Sequence, residues 1–223
     1  MPIGPMLQSA QGTDAPVTFP GDNSAGSLLV VFVGKPASIS NGSAIITFSD
    51  SQGNIYVALP VRSNVPATCW EQTFYCLSAK VGPNTVTATM TDGILTPQTG
   101  VIVAVHEFPA GLSFDASSFA TGTGLSQDSG GIATSFPNEL LFGSEMAGTT
   151  SGQTSVTSEA SWTLAESFAG AGLTQYKIVT SAGTYHSLTT ATTGKGGSVD
   201  WAAKIIGFNA PNTAVADSSI ITF

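Results

Sequence analysis

The sequence predicts an all-β protein: an antiparallel β-sandwich of two packed sheets with jelly-roll-like connections. Short apolar or alternating runs recur from residue 28 to residue 208, and Gly, Ser, Thr, Asn, Asp and Pro separate nearly all of them. Charged residues make up only 9% of the chain. No long segment has the period of an amphipathic helix. Because parallel strands need long crossovers, which are usually helical, we expect the strands to pair antiparallel.

The strongest strand signals are runs in which nearly every residue is apolar. Segments 28–33 (LLVVFV) and 101–108 (VIVAVHEF) are of this kind, which predicts central strands covered on both faces. Segment 85–90 (TVTATM) alternates between Thr and apolar residues, as expected of a half-exposed strand. The other predicted strands, in chain order, are 15–19, 44–48, 55–59, 74–79, one near 115–121, 139–143, 175–179, 184–191 and 201–208.

Two Gly-containing turns predict hairpins. The segment 50–54 (DSQGN) separates two short apolar runs, and its Gly can adopt positive φ. The segment 181–183 (SAG) predicts a second hairpin in the same way. The small polar segment 147–160 is expected to form a loop or an edge hairpin, and 162–167 a strand or a short helical turn.

The length of 223 residues fits one large β domain or two small ones, and all-β sandwiches often reach this size as a single unit. We predict a single sandwich domain over 1–208, in which 1–23 form an arm that is partly strand. No period of about 20 to 50 residues repeats, so a solenoid or propeller is not predicted. The tail 209–223 follows the core and ends in an apolar segment that could add to a neighbouring subunit's sheet or dock back on its own sandwich. The residues predicted to make the intersubunit contact are Ile220, Ile221 and Phe223.

The charge composition disfavours two classes of partner. The formal net charge is −8 and the pI about 4.4, and no basic stripe for nucleic acid is present. No run of about 18 apolar residues predicts membrane insertion. The first residues lack the basic start and apolar stretch of a secretory signal. Because virion proteins leave the cell by lysis, we expect a virion or otherwise an extracellular location.

The two cysteines leave their redox state open. Cys69 and Cys76 are seven positions apart, and an extended strand of that length would hold them over about 20 Å apart. A disulfide between them therefore requires a turn within 70–73. The alternative is two buried thiols.

No constellation of residues predicts catalysis. The chain has only two histidines, His106 and His186, and no Gly-x-Ser-x-Gly motif. The glutamates are scattered, so spacing selects no pair of catalytic carboxylates. Neighbouring strand residues such as His106 and Glu107 face opposite ways, which disfavours a shared metal. The turn at 50–54 resembles half a calcium loop without its distal acid. We expect no catalytic residue, metal site or cofactor.

One cluster could bind a sugar. Trp70 and Tyr75 lie close in sequence to Glu71 and Gln72, and sandwiches that bind glycans stack aromatic rings on sugar faces beside amide and carboxylate partners. We therefore predict Trp70, Glu71, Gln72 and Tyr75 as glycan-binding residues. The alternative is that Trp70 and Tyr75 are core anchors.

Five segments occur in an order and spacing similar to a known family. They are 24–31 (SAGSLLVV), 50–56 (DSQGNIY), 82–87 (GPNTVT), 137–143 (PNELLFG) and 201–203 (WAA). Together they resemble a lectin-like jelly-roll module that recurs in secreted bacterial proteins and in phage structural proteins. The resemblance spans 24–208. It implies a jelly-roll sandwich and carries over no catalytic motif.

The leading functional prediction is a non-enzymatic structural virion protein of a phage: a capsid decoration, fibre or minor capsid subunit. Low charge, strands rich in Thr and Ser, and an apolar tail favour it. Its partners would be other virion subunits or further copies of itself, as a homo-oligomer. The alternatives are a carbohydrate-binding module or lectin that binds cell-surface polysaccharide, and a subunit of an extracellular filament or surface layer.

Overall fold

The structure, a computed structural model, describes residues 2–39, 44–63, 68–148, 153–193 and 197–210. The first strands, in chain order, are β1 (Gln8–Thr13), β2 (Val17–Thr18), β3 (Ser27–Lys35), β4 (Ile45–Asp50), β5 (Val57–Ala58), β6 (Arg62–Ser63), β7 (Trp70–Cys76), β8 (Thr85–Thr91) and β9 (Ile102–Ala110). The others are β10 (Ser113–Gly124), β11 (Ser126–Asp128), β12 (Ile132–Thr134), β13 (Glu139–Ala147), β14 (Gln153–Ser158), β15 (Thr163–Ser167), β16 (Gly172–Val179), β17 (Gly183–Tyr185), β18 (Leu188–Thr193) and β19 (Val199–Asn209). Nowhere in these ranges is there a helix long and apolar enough to cross a membrane.

These strands form five antiparallel sheets. The inner N sheet has the order β1-β9-β3-β7-β5, with β6 also paired to β7, and the outer N sheet has the order β2-β8-β4. The inner C sheet has the order β10-β19-β13-β16-β15, the outer C sheet β11-β18-β14, and β12 and β17 make a short pair. The predicted all-β antiparallel sandwich class is confirmed, with more sheets than the two expected. Jelly-roll connectivity stays a prediction.

The two halves of the chain repeat one strand order. Each strand of the inner N sheet has a counterpart in the inner C sheet. In sheet order, β1, β9, β3, β7 and β5 correspond to β10, β19, β13, β16 and β15. The registers agree residue by residue: Val30 pairs with Tyr75 and His106, and Phe142 pairs with Tyr176 and Ile206. The chain is thus built from two similarly connected sandwich halves of about 100 residues each, a period longer than the repeat lengths typical of solenoids and propellers.

The inner N and inner C sheets pack face to face and join the two halves. Leu28 and Val30 of β3 and Phe108 of β9 meet Leu140 and Phe142 of β13 in one buried cluster. The next residues along β3 point the other way, into a cluster with the outer N sheet. Every residue of β3 is buried, which confirms the prediction of a central strand covered on both faces.

The inner C sheet is covered on its far face as well. Leu141 and Ile205 pack with Ile132 of the short pair and with Trp162. Small residues, such as Ala191 of β18, cover the neighbouring stretch. The sheets therefore stack as outer N, inner N, inner C, and then the outer C sheet beside the short pair. The single domain predicted over 1–208 stays a prediction, and the shared central core is consistent with it.

Both hairpin predictions are wrong. β4 pairs with β8 in the outer N sheet, whereas β5 pairs with β7 in the inner N sheet, so the turn at 50–54 carries the chain from one sheet to the other. Similarly, β16 pairs with β13 and β15, and β18 with β11 and β14. A turn residue sets a change of direction. The partner of each strand is set by which apolar faces must cover one another.

Several elements differ from the sequence prediction in their bounds. The arm contains β1, which pairs along its whole length with β9. The strand expected near 115–121 is the longer β10, the polar segment 147–160 includes the edge strand β14, and 162–167 contains β15 rather than a helical turn. The predicted intersubunit residues Ile220, Ile221 and Phe223 lie outside the described residues.

Replacing Phe142 by Ala tests the shared core. Phe142 is fully buried between the halves, so its loss should leave a cavity and lower the free energy of unfolding by about 3–5 kcal/mol. Urea unfolding followed by tryptophan fluorescence and far-UV circular dichroism should still give one coincident transition, at lower denaturant. The control is Phe136→Ala, because Phe136 is 39% exposed and should change stability little. Two separate transitions in the wild type would contradict a shared core.

Candidate functional site

The four residues predicted to bind glycan lie inside the protein on β7. Trp70, Glu71, Gln72 and Tyr75 are 5%, 0%, 9% and 6% exposed. They also face two ways: Trp70 packs toward the outer N sheet, while Tyr75 stacks on Phe114 toward the inner C sheet. They therefore offer no common surface on which a sugar could stack. The alternative interpretation, that Trp70 and Tyr75 are core anchors, agrees with this placement.

Cys69 and Cys76 do not form a disulfide. Both thiols are buried, and the residues between them belong to the continuous strand β7. The turn that a bridge requires is therefore missing, because Trp70–Cys76 is extended. Burial also raises the pKa of the Cys76 thiol, which disfavours the reactive thiolate.

An open cleft of about 410 Å³ lies at the outer end of the C-terminal half. We call it the Asp128 cleft. Its main lining residues are Asp128, Glu159, Trp162, Lys177, Tyr185 and His186. They come from β11, the β14–β15 connection, β16, and the end of β17. The short pair β12-β17 holds one wall, since Ile132 pairs with Tyr185 and packs in the cluster that buries Trp162.

Asp128 and His186 form the polar centre of the cleft. His186 Nδ1 lies 2.9 Å from Asp128 Oδ1 and 3.2 Å from Oδ2. The backbone N–H of Gly130 also donates to Asp128 Oδ1 at 2.9 Å. A Cβ at position 131 would lie 2.9 Å from His186 Nε2, so Gly131 leaves the room that the ring occupies. Both side chains remain accessible, at 42% for His186 and 47% for Asp128.

Lys177 and Tyr185 also line the cleft. Lys177 Nζ donates to Ser161 Oγ at 3.1 Å and lies 5.9 Å from the centre of the Tyr185 ring. The Tyr185 hydroxyl donates to the carbonyl of Ser181 at 2.8 Å, which fixes the ring. Trp162 is 6% exposed and supports the wall from inside. The cleft therefore presents cationic, anionic and aromatic groups within one small volume.

The corresponding place in the N-terminal half is closed by a turn. Register matches Tyr56 with Trp162, and Asp50 ends β4 as Ser158 ends β14, its counterpart in the strand order. Asp50 accepts hydrogen bonds from Asn54 N at 2.9 Å, Asn54 Nδ2 at 2.7 Å, Tyr56 Oη at 2.9 Å and Asn84 Nδ2 at 3.1 Å. Burial alone would raise the pKa of Asp50, but these bonds outweigh burial and lower it. The half calcium loop considered from sequence is thus a hydrogen-bonded turn.

Several titratable groups are buried away from the cleft. His106 packs against Phe142 with ring centres 5.1 Å apart, and burial lowers its pKa to about 3. Burial, together with the charge of Glu71, raises the pKa of Glu145 well above its usual value. Lys204 Nζ lies 3.9 Å from Glu71 Oε1 at the junction of the halves. Buried polar and charged side chains therefore occur in both halves.

Sequence reasoning did not identify the residues of the Asp128 cleft. His186 is one of only two histidines, but Asp128, Lys177 and Tyr185 lie in unremarkable polar segments. The available signal was the segment 128–131 (DSGG), a turn that an Asp side chain can cap. Nothing in the sequence indicates that this turn lies beside 185–186.

The comparisons with known proteins found no match: no protein-family model, curated protein or solved structure matches this chain. Within the described ranges, no group of three or more His, Cys, Asp or Glu residues is placed to hold a metal ion. Function is therefore inferred from the cleft and the surface of the chain itself.

Replacing Glu145 by Gln tests the buried carboxyl. The folded state holds its proton above the usual pKa of 4.5, whereas the unfolded state does not. Stability should therefore be lost as pH rises above about 4.5, and Gln, which resembles the protonated acid, should remove that loss. Expressed as variant minus wild type, the Tm difference should grow from pH 4 to pH 8, by about 3–5 °C for each unit that the pKa is raised.

The control for this measurement is Glu159→Gln, because Glu159 is exposed and its Tm difference should stay flat with pH. Burial lowers the pKa of His106 to about 3, so this neutral, buried ring should lower stability at acid pH. The effect is the same in the wild type and in both variants, and it therefore cancels in the Tm differences. A Tm difference for Glu145→Gln that does not change with pH would contradict a raised pKa.

Proposed function

We propose that this chain is a non-enzymatic carbohydrate-binding protein that holds a neutral sugar in the Asp128 cleft. The observation that carries the proposal is the difference between the halves. Where the N-terminal half closes its Asp50 turn with internal hydrogen bonds, the C-terminal half leaves an open cleft with an accessible Asp128–His186 pair. Accessible polar groups on a rigid β scaffold are typical of binding sites.

A sugar fits the chemistry of the cleft. Its hydroxyls both donate and accept hydrogen bonds, so Asp128 can accept from one hydroxyl while Lys177 donates to another. Tyr185 supplies an apolar ring for the C–H face of the sugar. A volume of about 410 Å³ is in the range of small-ligand sites. Charge favours a neutral sugar, because the cleft holds Lys177 beside the two carboxylates of Asp128 and Glu159 and the whole chain carries −8.

The arrangement favours binding over turnover. Among the described residues, the hydrogen bonds found for the His186 ring go to Asp128, so the imidazole is not poised on a serine or cysteine nucleophile. Lys177 Nζ donates to Ser161 Oγ, so its amino group acts in the cleft as a hydrogen-bond donor.

A glycan array of neutral polysaccharides (glucans, mannans, galactans and xylans) tests the proposal. The protein should bind at least one, and titration of the matching oligosaccharide should give a Kd in the micromolar to millimolar range. Asp128→Asn and Tyr185→Ala should each weaken binding about tenfold or more, by removing a charged acceptor and a stacking ring. The controls are Asp22→Asn and Phe136→Ala, which change exposed residues elsewhere. Retention of no polysaccharide, or equal binding by all variants, would reject the proposal.

A second candidate is the structural virion subunit predicted from sequence. Exposed aliphatic residues beside the edge strand β5 favour it: Ile55 is 87% exposed, Val57 48% and Leu77 37%. β5 is the last strand of the inner N sheet, and extending the Val57–Tyr75 register brings Ile55 opposite Leu77. An apolar patch beside a free sheet edge suits contact with a second copy of the chain. A location in a virion or outside the cell remains part of this proposal.

Multi-angle light scattering after gel filtration tests this candidate. The wild type should elute as an oligomer, and Ile55→Asp should shift it to the mass of one chain by placing a charge in the contact. Leu125→Asp is the control, because Leu125 is 41% exposed on another part of the surface. A wild type that is monomeric at every concentration, or an oligomer insensitive to Ile55→Asp, would reject this surface as the contact.

A further inference from the structure

The inner sheets of the two halves meet along two related seams. At the first seam β1 contacts β15, and at the second β10 faces the segment that follows β5. The strand order relates the two seams, because β1 corresponds to β10 and β15 to β5. Register extends the match to single residues: Ser9 corresponds to Ser117, and Gln11 to Phe119.

Hydrogen bonds tie the first seam together. Ser9 Oγ donates to Glu166 Oε1 at 2.6 Å, and Gln11 Nε2 donates to the carbonyl of Ser167 at 2.9 Å. The two strands are each the last of their sheet and are similar in length, with six residues in β1 and five in β15. The first seam is therefore a direct contact between two edge strands.

The second seam leaves an open groove. β10 has twelve residues but β5 has only two, so β5 covers little of β10. Leu59, the first residue after β5, stands in the place of Glu166. Its backbone N–H donates to the carbonyl of Thr73 at 2.9 Å, and Thr73 corresponds to Thr174, the partner of Glu166. The groove measures about 310 Å³, and its lining residues are Leu59, Pro60, Ser117, Ser118, Phe119 and Lys204.

The groove combines an apolar lining with a sheet edge. Leu59, Pro60 and Phe119 supply the apolar lining, and the Phe119 ring is 40% exposed, whereas Lys204 is only 3% exposed and does not offer its charge to an occupant. In the part of the chain that the structure describes, β10 pairs with β19 alone. An edge strand presents backbone N–H and C=O groups to a further strand. The groove therefore suits an extended apolar segment held as an added strand.

The chain's own C-terminal segment has the sequence that such a groove requires. Residues 211–223 lie outside the described residues, and the last six, 218–223, read SSIITF. Ile, Thr and Phe favour strands, and in an extended segment Ile221 and Phe223 point to the same face. These six residues include no charged side chain, so their burial removes no side-chain charge from water.

The point at which the chain leaves the fold brings this segment within reach. β19 ends at Asn209, which pairs with Ser113, the first residue of β10. Crossing to the far side of β10 takes about 10 Å, twice the spacing between strands, and Phe119 lies about 20 Å further along β10. Residues 211–219 span about 30 Å when extended. Residues 218–223 therefore reach the groove of their own copy.

We propose that residues 218–223 dock in this groove of their own chain as a strand added along β10. Ile221 and Phe223 would pack against the exposed ring of Phe119. A segment tethered within reach has an effective concentration in the millimolar range, which favours its own copy over a neighbour. The added strand would cover the edge of β10 and so prevent edge-to-edge aggregation. This proposal is independent of sugar binding in the Asp128 cleft.

Cross-linking of the full chain tests the placement. In the variant Ser117→Cys with Ser219→Cys, a short bismaleimide should join the two introduced thiols within one chain, as peptide mapping would identify. The native Cys69 and Cys76 are buried, so the wild type should not react. The control is Thr47→Cys with Ser219→Cys, because Thr47 is exposed on the outer N sheet and should give less than a tenth of that yield. Equal yields from both variants, or a product that mainly joins two chains, would overturn the proposal.

Hydrogen exchange followed by mass spectrometry tests the contact itself. The double change Ile221→Asp with Phe223→Asp should release the segment, and amide exchange should rise at least tenfold both in the middle of β10 and in 218–223. The control is Ile94→Asp with Leu95→Asp, which changes two aliphatic residues of another turn, 71% and 68% exposed, and should leave exchange in both segments unchanged. Equal exchange in the wild type and in the variant of the C-terminal segment would show that no such contact exists.

Discussion

Both inner sheets are apolar on two faces, and the rest of the structure depends on keeping those faces from water. β3 and β13 supply alternate residues to opposite sides, so each inner sheet must be covered twice. The halves meet this need by covering one another at the centre, where Val30 and Phe108 pack with Phe142 and Phe208. The outer sheets and the short pair then cover the far faces of the two inner sheets. Few charged side chains are required, which fits a chain with 9% charged residues.

The two halves share a strand order but have diverged in what they bury. The N-terminal half has Val31 and Phe32 where the C-terminal half has Gly143 and Ser144, by the register of β3 and β13. The space so released holds polar groups: Gln175 donates to Ser187 Oγ at 2.9 Å, and Thr189 donates to Gln127 Oε1 at 2.7 Å. A fold that is stable with large apolar side chains at these two positions in one half can hold polar groups there in the other, where those groups bond to one another.

The difference between the two halves bears on where a ligand could bind. A rigid β framework holds loops and strand ends at fixed positions, and sites form where those ends leave space. The Asp50 turn and the Asp128 cleft occupy matching places, yet one carboxylate is enclosed by hydrogen bonds and the other is accessible. Here the C-terminal half has the carboxylate that a ligand could reach.

The sequence by itself determined the fold class and the central strands, because the apolar period and β-propensity are local properties of segments such as 28–33. It also placed the turns at 50–54 and 181–183, although not the strands that they connect. Only the tertiary structure decided pairing, since an alternating pattern specifies which face is apolar and leaves open which sheet covers it. For the same reason Trp70 and Tyr75 could be read as a surface patch, until β7 proved to be covered on both faces. The Asp128 cleft gathers residues from four separate segments, and their proximity follows from the stacking of sheets, a non-local consequence of burying both faces at once.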